Sequence, residues 1–294
     1  MSPTALERLA LFFSPIRSRQ AILARAALGR PAADDPALAR QIAQELSAEL
    51  RPDGSVGGAA LPTIWRVHEL LDLGAGPGDS GLIRALTWVL QHQNAPGAYG
   101  EGCDKTRHAL RTCEHFLRGF FSPAPAAVRV APVTLPIGKA FRAEPAARLA
   151  ISCLALRGVL RAGLGDRPAV LAHLDSLRLL SEGWTDWSGP FPPDVIITGL
   201  HALALGGEAY RRVVERLVDL VTAQQHIKGH WENTDLFLVL DALVATGLPT
   251  ARVAVRHAEP ALEERQRPDG SFGATAQQER ALIGLRALRW AGVA

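Results

Sequence analysis

Apolar residues return along this chain with two periods at once, one of three to four residues and one of about 43. The short period marks helices. Between residues 59 and 73 the apolar positions include Ile64, Val67, Leu70 and Leu71, which fall on one helical face. Segments 147–163, 195–207 and 236–247 are apolar on nearly all sides, as expected of helices buried all round. All three end in Gly, a common helix stop. Runs of alternating β-branched residues bounded by turns are nearly absent. The pattern predicts an all-α protein.

The long period is carried by turns. The string RPDGS occurs at 51–55 and again at 267–271, and Pro beside Asp-Gly is turn chemistry. Both copies lead into Gly, one residue, then an apolar anchor. Similar turns place anchors at Val56, Tyr99, Phe141, Trp187, Trp231 and Phe272, with spacings of 43, 42, 46, 44 and 41. A fixed period in this range marks a repeat architecture. Six repeats follow, each with one helix before the turn and one after it.

Composition changes little. Arg outnumbers Lys 29 to 3, which fits a GC-rich, bacterial-like coding bias. Three cysteines give no disulfide framework, and the expected compartment is the cytosol. The apolar run at 9–13 is too short for a secretory signal or a membrane span. Aromatic residues are few and sit in turns away from the basic residues, which argues against nucleic acid as a partner.

A glutamine before a Gly-x-aromatic turn, best seen in WVLQHQNAPGAYG (88–100) and LVTAQQHIKGHW (220–231), resembles the QW repeats of squalene–hopene cyclases and protein prenyltransferase β-subunits. The resemblance implies a single α/α toroid of six helical hairpins, an (α/α)6 barrel. Residues 38–294 would form it, with 1–37 as a helical extension. The helix after each turn would be the inner one, with its N-terminal end lining a central cavity. The implied partner is a hydrophobic or isoprenoid small molecule.

In the cyclases a D-x-D-D motif at the start of an inner helix supplies the acid that protonates the isoprenoid. The nearest match is Glu232-Asn233-Thr234-Asp235. Asp235 falls on the last aspartate and Glu232 on the first, while Thr234 holds the donor's place and cannot act as a strong acid. A plain helix cap by Asn233 or Thr234 is the competing reading.

A second cluster lies in GCDKTRHALRTCEHFLRGFF (102–121), expected to be helical. Asp104, His108, Arg111, His115 and Arg118 share one helical stripe there, opposite Leu110, Cys113, Leu117 and Phe120. The resemblance would put that helix on the inner ring. Asp104 and His108 are then candidate catalytic groups alongside Glu232 and Asp235. Arg107, Arg111, His115 and Arg118 are candidate ligand-binding groups, and Cys103, Asp104 and His108 a candidate partial metal site. The prenyltransferases hold zinc with Asp, Cys and His, and zinc or magnesium is the cofactor considered. Residues 103–148 carry net charge +5 in a chain of +3 overall, suited to a diphosphate. His201 reads as a core histidine. Four prolines in 122–137 predict an ordered loop that could close over an amphiphilic ligand.

Three functions fit these residues. The first is an isoprenoid-processing enzyme with an apolar cavity and a basic or metal-containing rim. The second is a binding or scaffolding toroid that kept the repeat and lost the acid. The third is a glycan-active (α/α)6 enzyme, which needs facing carboxylates such as Asp186, Asp194 and Asp235.

Overall fold

A computed structural model describes residues 4–92, 100–102, 116–118, 130–187 and 191–293. The chain is all-α. Its helices are α1 (Ala5–Phe13), α2 (Arg19–Ala27), α3 (Asp35–Ala48), α4 (Ala60–Asp72), α5 (Ser80–Gln91), α6 (Glu144–Arg161), α7 (Pro168–Ser181), α8 (Pro193–Ala204), α9 (Arg211–Ala223), α10 (Leu236–Thr246), α11 (Pro249–His257), α12 (Glu259–Arg265) and α13 (Gln277–Ala291). Strand is confined to two short antiparallel pairs among the described residues. In one, β1 (Gly100–Gly102) meets β2 (Phe116–Arg118); in the other, β3 (Val133–Thr134) meets β4 (Ala140–Phe141).

Helices α2, α4, α6, α8, α10 and α13 each pack on the next, and α13 packs back on α2. That cycle is a closed ring of six inner helices. Burial separates it from the outer helices. Along α6, 13 of 18 residues are buried and along α10, 7 of 11, on more than one face, as the all-round apolar pattern requires. On outer α9 only Val214, Leu217, Val218 and Val221 are buried, one stripe at helical spacing.

The ring is not assembled quite as the repeat spacing suggests. Helix α4 packs directly on α6, with Gly158 of α6 against Val67 and His68 of α4. The turn at Phe141 leads directly into α6, and the turn at Tyr99 lies outside the described residues. The sixth inner place is taken by α2, from the segment read as an N-terminal extension, with α1 packed outside it. At the fourth turn the buried anchor is Trp184, whose ring lies against Gly199 of α8, while Trp187 is only half-buried.

The repeated turns share one construction. The side chain of Gln225 donates to the carbonyls of Gly229 (3.0 Å) and Ala254 (2.9 Å), and that of Gln266 donates to Gly270 (3.1 Å) and Ala5 (3.1 Å). Each glutamine thus ties its own turn to the next outer helix. Gly54, Gly229 and Gly270 have φ of +89°, +84° and +87°, and a Cβ there would lie 2.2–2.4 Å from a carbonyl oxygen of α5, α11 or α1. Only glycine suits both demands.

Gly229→Ala should therefore cost about 2–4 kcal/mol, combining the backbone penalty with a clash against an immovable carbonyl. Gly247→Ala, also at positive φ but with nothing within 4 Å, should cost only about 1 kcal/mol. Urea unfolding of the two variants measures the difference.

Candidate functional site

The connection from α5 ends in a hairpin seated over the start of α6. Glu144, in the first turn of α6, accepts the backbone N–H groups of Val130 (2.8 Å) and Ala131 (2.7 Å) and the Arg148 Nε–H (2.7 Å). Burial works to raise the Glu144 pKa, but these donors outweigh it and hold the group below the usual range. Strands β3 and β4 then turn through Leu135–Gly138, closed by Leu135 N–H to the Lys139 carbonyl and Gly138 N–H to the Leu135 carbonyl, both 2.8 Å. Leu135 and Ile137, at the tip, are buried.

This hairpin meets the first turns of α8, α10 and α13 through a chain of charges. Lys139 is ion-paired with Asp194. The other Asp194 oxygen accepts the Thr234 hydroxyl (2.6 Å) and the Asp235 N–H (3.3 Å). Asp235 caps α10, its Oδ1 accepting from Phe237 N–H (3.0 Å) and Leu238 N–H (3.3 Å), while its Oδ2 pairs with Arg280 Nη2 at 2.7 Å. Arg280 returns to the hairpin by donating to the Ile137 carbonyl at 2.9 Å, and it lies over the Phe237 ring.

The helix is capped by Asp235, not by the Asn233 or Thr234 of the plain reading. Glu232 is exposed, and its carbonyl accepts the Trp187 indole N–H at 3.1 Å. Thr234 is a hydrogen-bond donor to a carboxylate. Asp194 and Asp235 do come together, but each faces its own cation, and Asp186 is exposed. No pair of free carboxylates suited to glycoside cleavage stands among them.

Beneath the hairpin tip lies a cavity of about 260 Å³, walled by Trp65 and His68 of α4, Arg157 of α6, His201 of α8, Asp241 of α10 and Arg286 of α13. The wall is mixed and charged where an apolar one was expected. Arg157 Nη2 donates to Asp241 at 3.2 Å. Arg161 bridges His68 Nδ1 (3.0 Å) and Asp72 (2.6 Å), while His68 Nε2 meets the Leu154 carbonyl at 2.9 Å. Those partners make His68 a neutral ring with its proton on Nε2. Burial, reinforced by Arg157 and Arg161, pushes its pKa down to about 3. His201 is pushed down by the same causes in the same order. It is not the satisfied core histidine the sequence suggested: its Nδ1 is buried without a hydrogen bond, 3.5 Å from Asp241.

A second cavity, of about 450 Å³, opens between the C-terminal part of α4, α5 and the end of α6. Leu71, Leu82, Leu86, Leu90 and Leu164 line it, and its only charged lining residues are Arg161 and Arg167. Arg161 also borders the central cavity. It is the lining residue that the two cavities share.

Asp104, Arg107, His108, Arg111 and His115, together with Cys103, lie outside the described residues. Arg118 belongs to β2, so the helix expected over 102–121 does not run through it. Of the basic residues in the described part of that zone, Lys139 pairs with Asp194 and Arg148 with Glu144. Among the described residues no group of three His, Cys, Asp or Glu could hold a metal ion.

Comparison with solved structures places this architecture. A type II terpene cyclase from Scytonema, MstE, matches in complex with geranylgeranyl dihydroxybenzoate at a TM-score of 0.56 and 16% identity, over 97% of this chain and 86% of that one. The fold is that of the type II terpene cyclases. The apo form of the same cyclase matches at 0.53 and 18% identity, over 91% of this chain and 72% of its own. A protein from Actinoplanes matches at 0.56 and 14% identity, over 98% and 90%. No protein-family model and no curated protein sequence matches the chain.

Sequence reasoning passed over His68, Arg157 and Asp241. The signal was there: Asp241 is the one charge in LFLVLDALVAT, and Arg157 interrupts the apolar run of α6. A charge inside an all-round apolar helix must be paired or face a cavity.

The two histidines give a pH dependence. Between pH 6.5 and 3 the unfolded chain protonates His68 and the folded chain does not, so this contribution is full above 6.5 and is lost as pH falls. Its slope approaches about 1.4 kcal/mol per pH unit. Urea midpoints from pH 7 to 5 should fall more steeply for the wild type than for His68→Asn.

Proposed function

We propose that this protein is an isoprenoid-processing enzyme acting on a prenylated small molecule with a polar head. One observation carries the reading: an apolar cavity and a charged cavity share Arg161 in their walls inside a terpene-cyclase fold. An amphiphile needs both environments side by side. Geranylgeranyl dihydroxybenzoate, bound by the Scytonema cyclase, is a molecule of that kind.

Glu232 and Asp235 do not start the reaction by direct protonation. A general acid must present a neutral carboxyl to the alkene. Thr234 stands in the donor's place, Asp235 faces Arg280 and Asp194 faces Lys139. Those same facts favour a second reading, a toroid that binds the prenylated molecule without turning it over. In residues 103–118, either Arg107, Arg111, His115 and Arg118 contact a diphosphate or Cys103, Asp104 and His108 hold zinc.

Incubation with squalene, geranylgeranyl diphosphate and geranylgeranyl dihydroxybenzoate, followed by mass spectrometry, tests the choice. A prenylated compound with a polar head should bind and be converted, and squalene should be recovered unchanged. Binding without conversion selects the second reading. Squalene turnover, whether it survives Glu232→Gln and Asp235→Asn or disappears with them, contradicts the assignment of the acid. Arg111→Ala should weaken diphosphate binding by about 1.5–3 kcal/mol, and metal analysis decides on zinc.

A further inference from the structure

Two buried nitrogens in the wall of the central cavity make no hydrogen bond, one of them 3.5 Å from Asp241. Arg157 Nε and His201 Nδ1 are both without a hydrogen-bond partner, although Arg157 uses its Nη2 on Asp241. Buried polar groups in folded proteins are almost always satisfied, so an orphan in a cavity wall points to a missing partner. Arg286 borders the same space and has no ion-pair partner among the described residues. Arg157, Arg161 and Arg286 face Asp72, Asp241 and Glu279 across the cavity, and Arg19 adds a fourth cation behind Asp72 and Glu279.

We propose that the central cavity is a binding site for a small anion of the carboxylate or phosphate class. The anion takes the Arg157 Nε–H, a hydrogen bond from His201 and the charge of Arg286. A guanidinium offers separate edges, so Arg157 can hold Asp241 and an anion at once. A volume of about 260 Å³ admits phosphate, diphosphate or a benzoate-sized acid. The inference does not depend on the ligand carrying a prenyl chain.

Titration calorimetry of the full-length chain with inorganic phosphate, inorganic diphosphate and benzoate tests it. At least one should bind saturably, and Arg157→Lys and Arg286→Gln should each weaken binding about tenfold or more. Arg212→Ala, on the exposed face of α9, should leave binding unchanged. The proposal falls if none of the three anions binds, or if Arg212→Ala weakens binding as much as the cavity variants do. Should those variants fail to fold, imidazole NMR of the wild type decides: saturation with the anion must shift His201, and an unmoved His201 overturns the site. Geranylgeranyl diphosphate supplies the second arm. Binding far tighter than inorganic diphosphate identifies the anion as the head of a prenylated molecule, and equal affinity identifies it as a free anion. Both results support the site, and only the first supports the prenyl reading.

Discussion

Arg19 holds the ring shut. Its guanidinium, only 4% exposed, reaches from α2 to Asp72 of α4 and Glu279 of α13, the place where the first and last inner helices meet. Burial disfavours its charge, but Glu279 and Asp72 more than compensate and its pKa is raised. Removing one partner from such a pair leaves an uncompensated buried charge, a loss of about 3–5 kcal/mol. Trp65 lies against the guanidinium face at 5.3 Å, which adds to the clasp and places an aromatic ring in the cavity wall.

Closure of the ring creates the chemistry. Inner helices bury most of their surface against neighbours, so a polar side chain on them has only the centre to face. His68, Arg157, His201 and Asp241 are gathered there from four helices, and burial, followed by the charges of Arg157 and Arg161, disfavours protonation of both histidines. The hairpin 133–141 covers this space from the N-terminal ends of α8, α10 and α13. Its attachments, Lys139 to Asp194 and the Ile137 carbonyl to Arg280, occupy the groups nearest the degenerate acid motif. A type II cyclase fold has thus been given a charged interior and a capped mouth.

The turns show how a repeat can be exact in function and loose in sequence. Gly229 and Gly270 need the same backbone and the same close approach, and Gln225 and Gln266 tie them to the next outer helix alike. The anchors between them vary from Phe to Trp because each only has to fill the space against its inner helix. Gly199 makes that space for Trp184 and Gly284 for Phe272.

The sequence alone determined the helical class and the repeat, because helical periodicity and turn chemistry are local properties of a few neighbouring residues. The resemblance to the cyclases put Thr234 where an acid would be needed, and capping chemistry was legible at Asn233 and Thr234, although Asp235 is the residue that caps α10. Tertiary structure decided everything that depends on which helix meets which. It placed α2 in the ring, sent Trp184 rather than Trp187 into the core, and brought Lys139 to Asp194 across 55 residues. It also placed His201, which reads as a core residue, in a cavity wall with its Nδ1 lacking a hydrogen bond. A lone charge in an apolar helix announces that a partner exists, but only the closed ring says which partner it is.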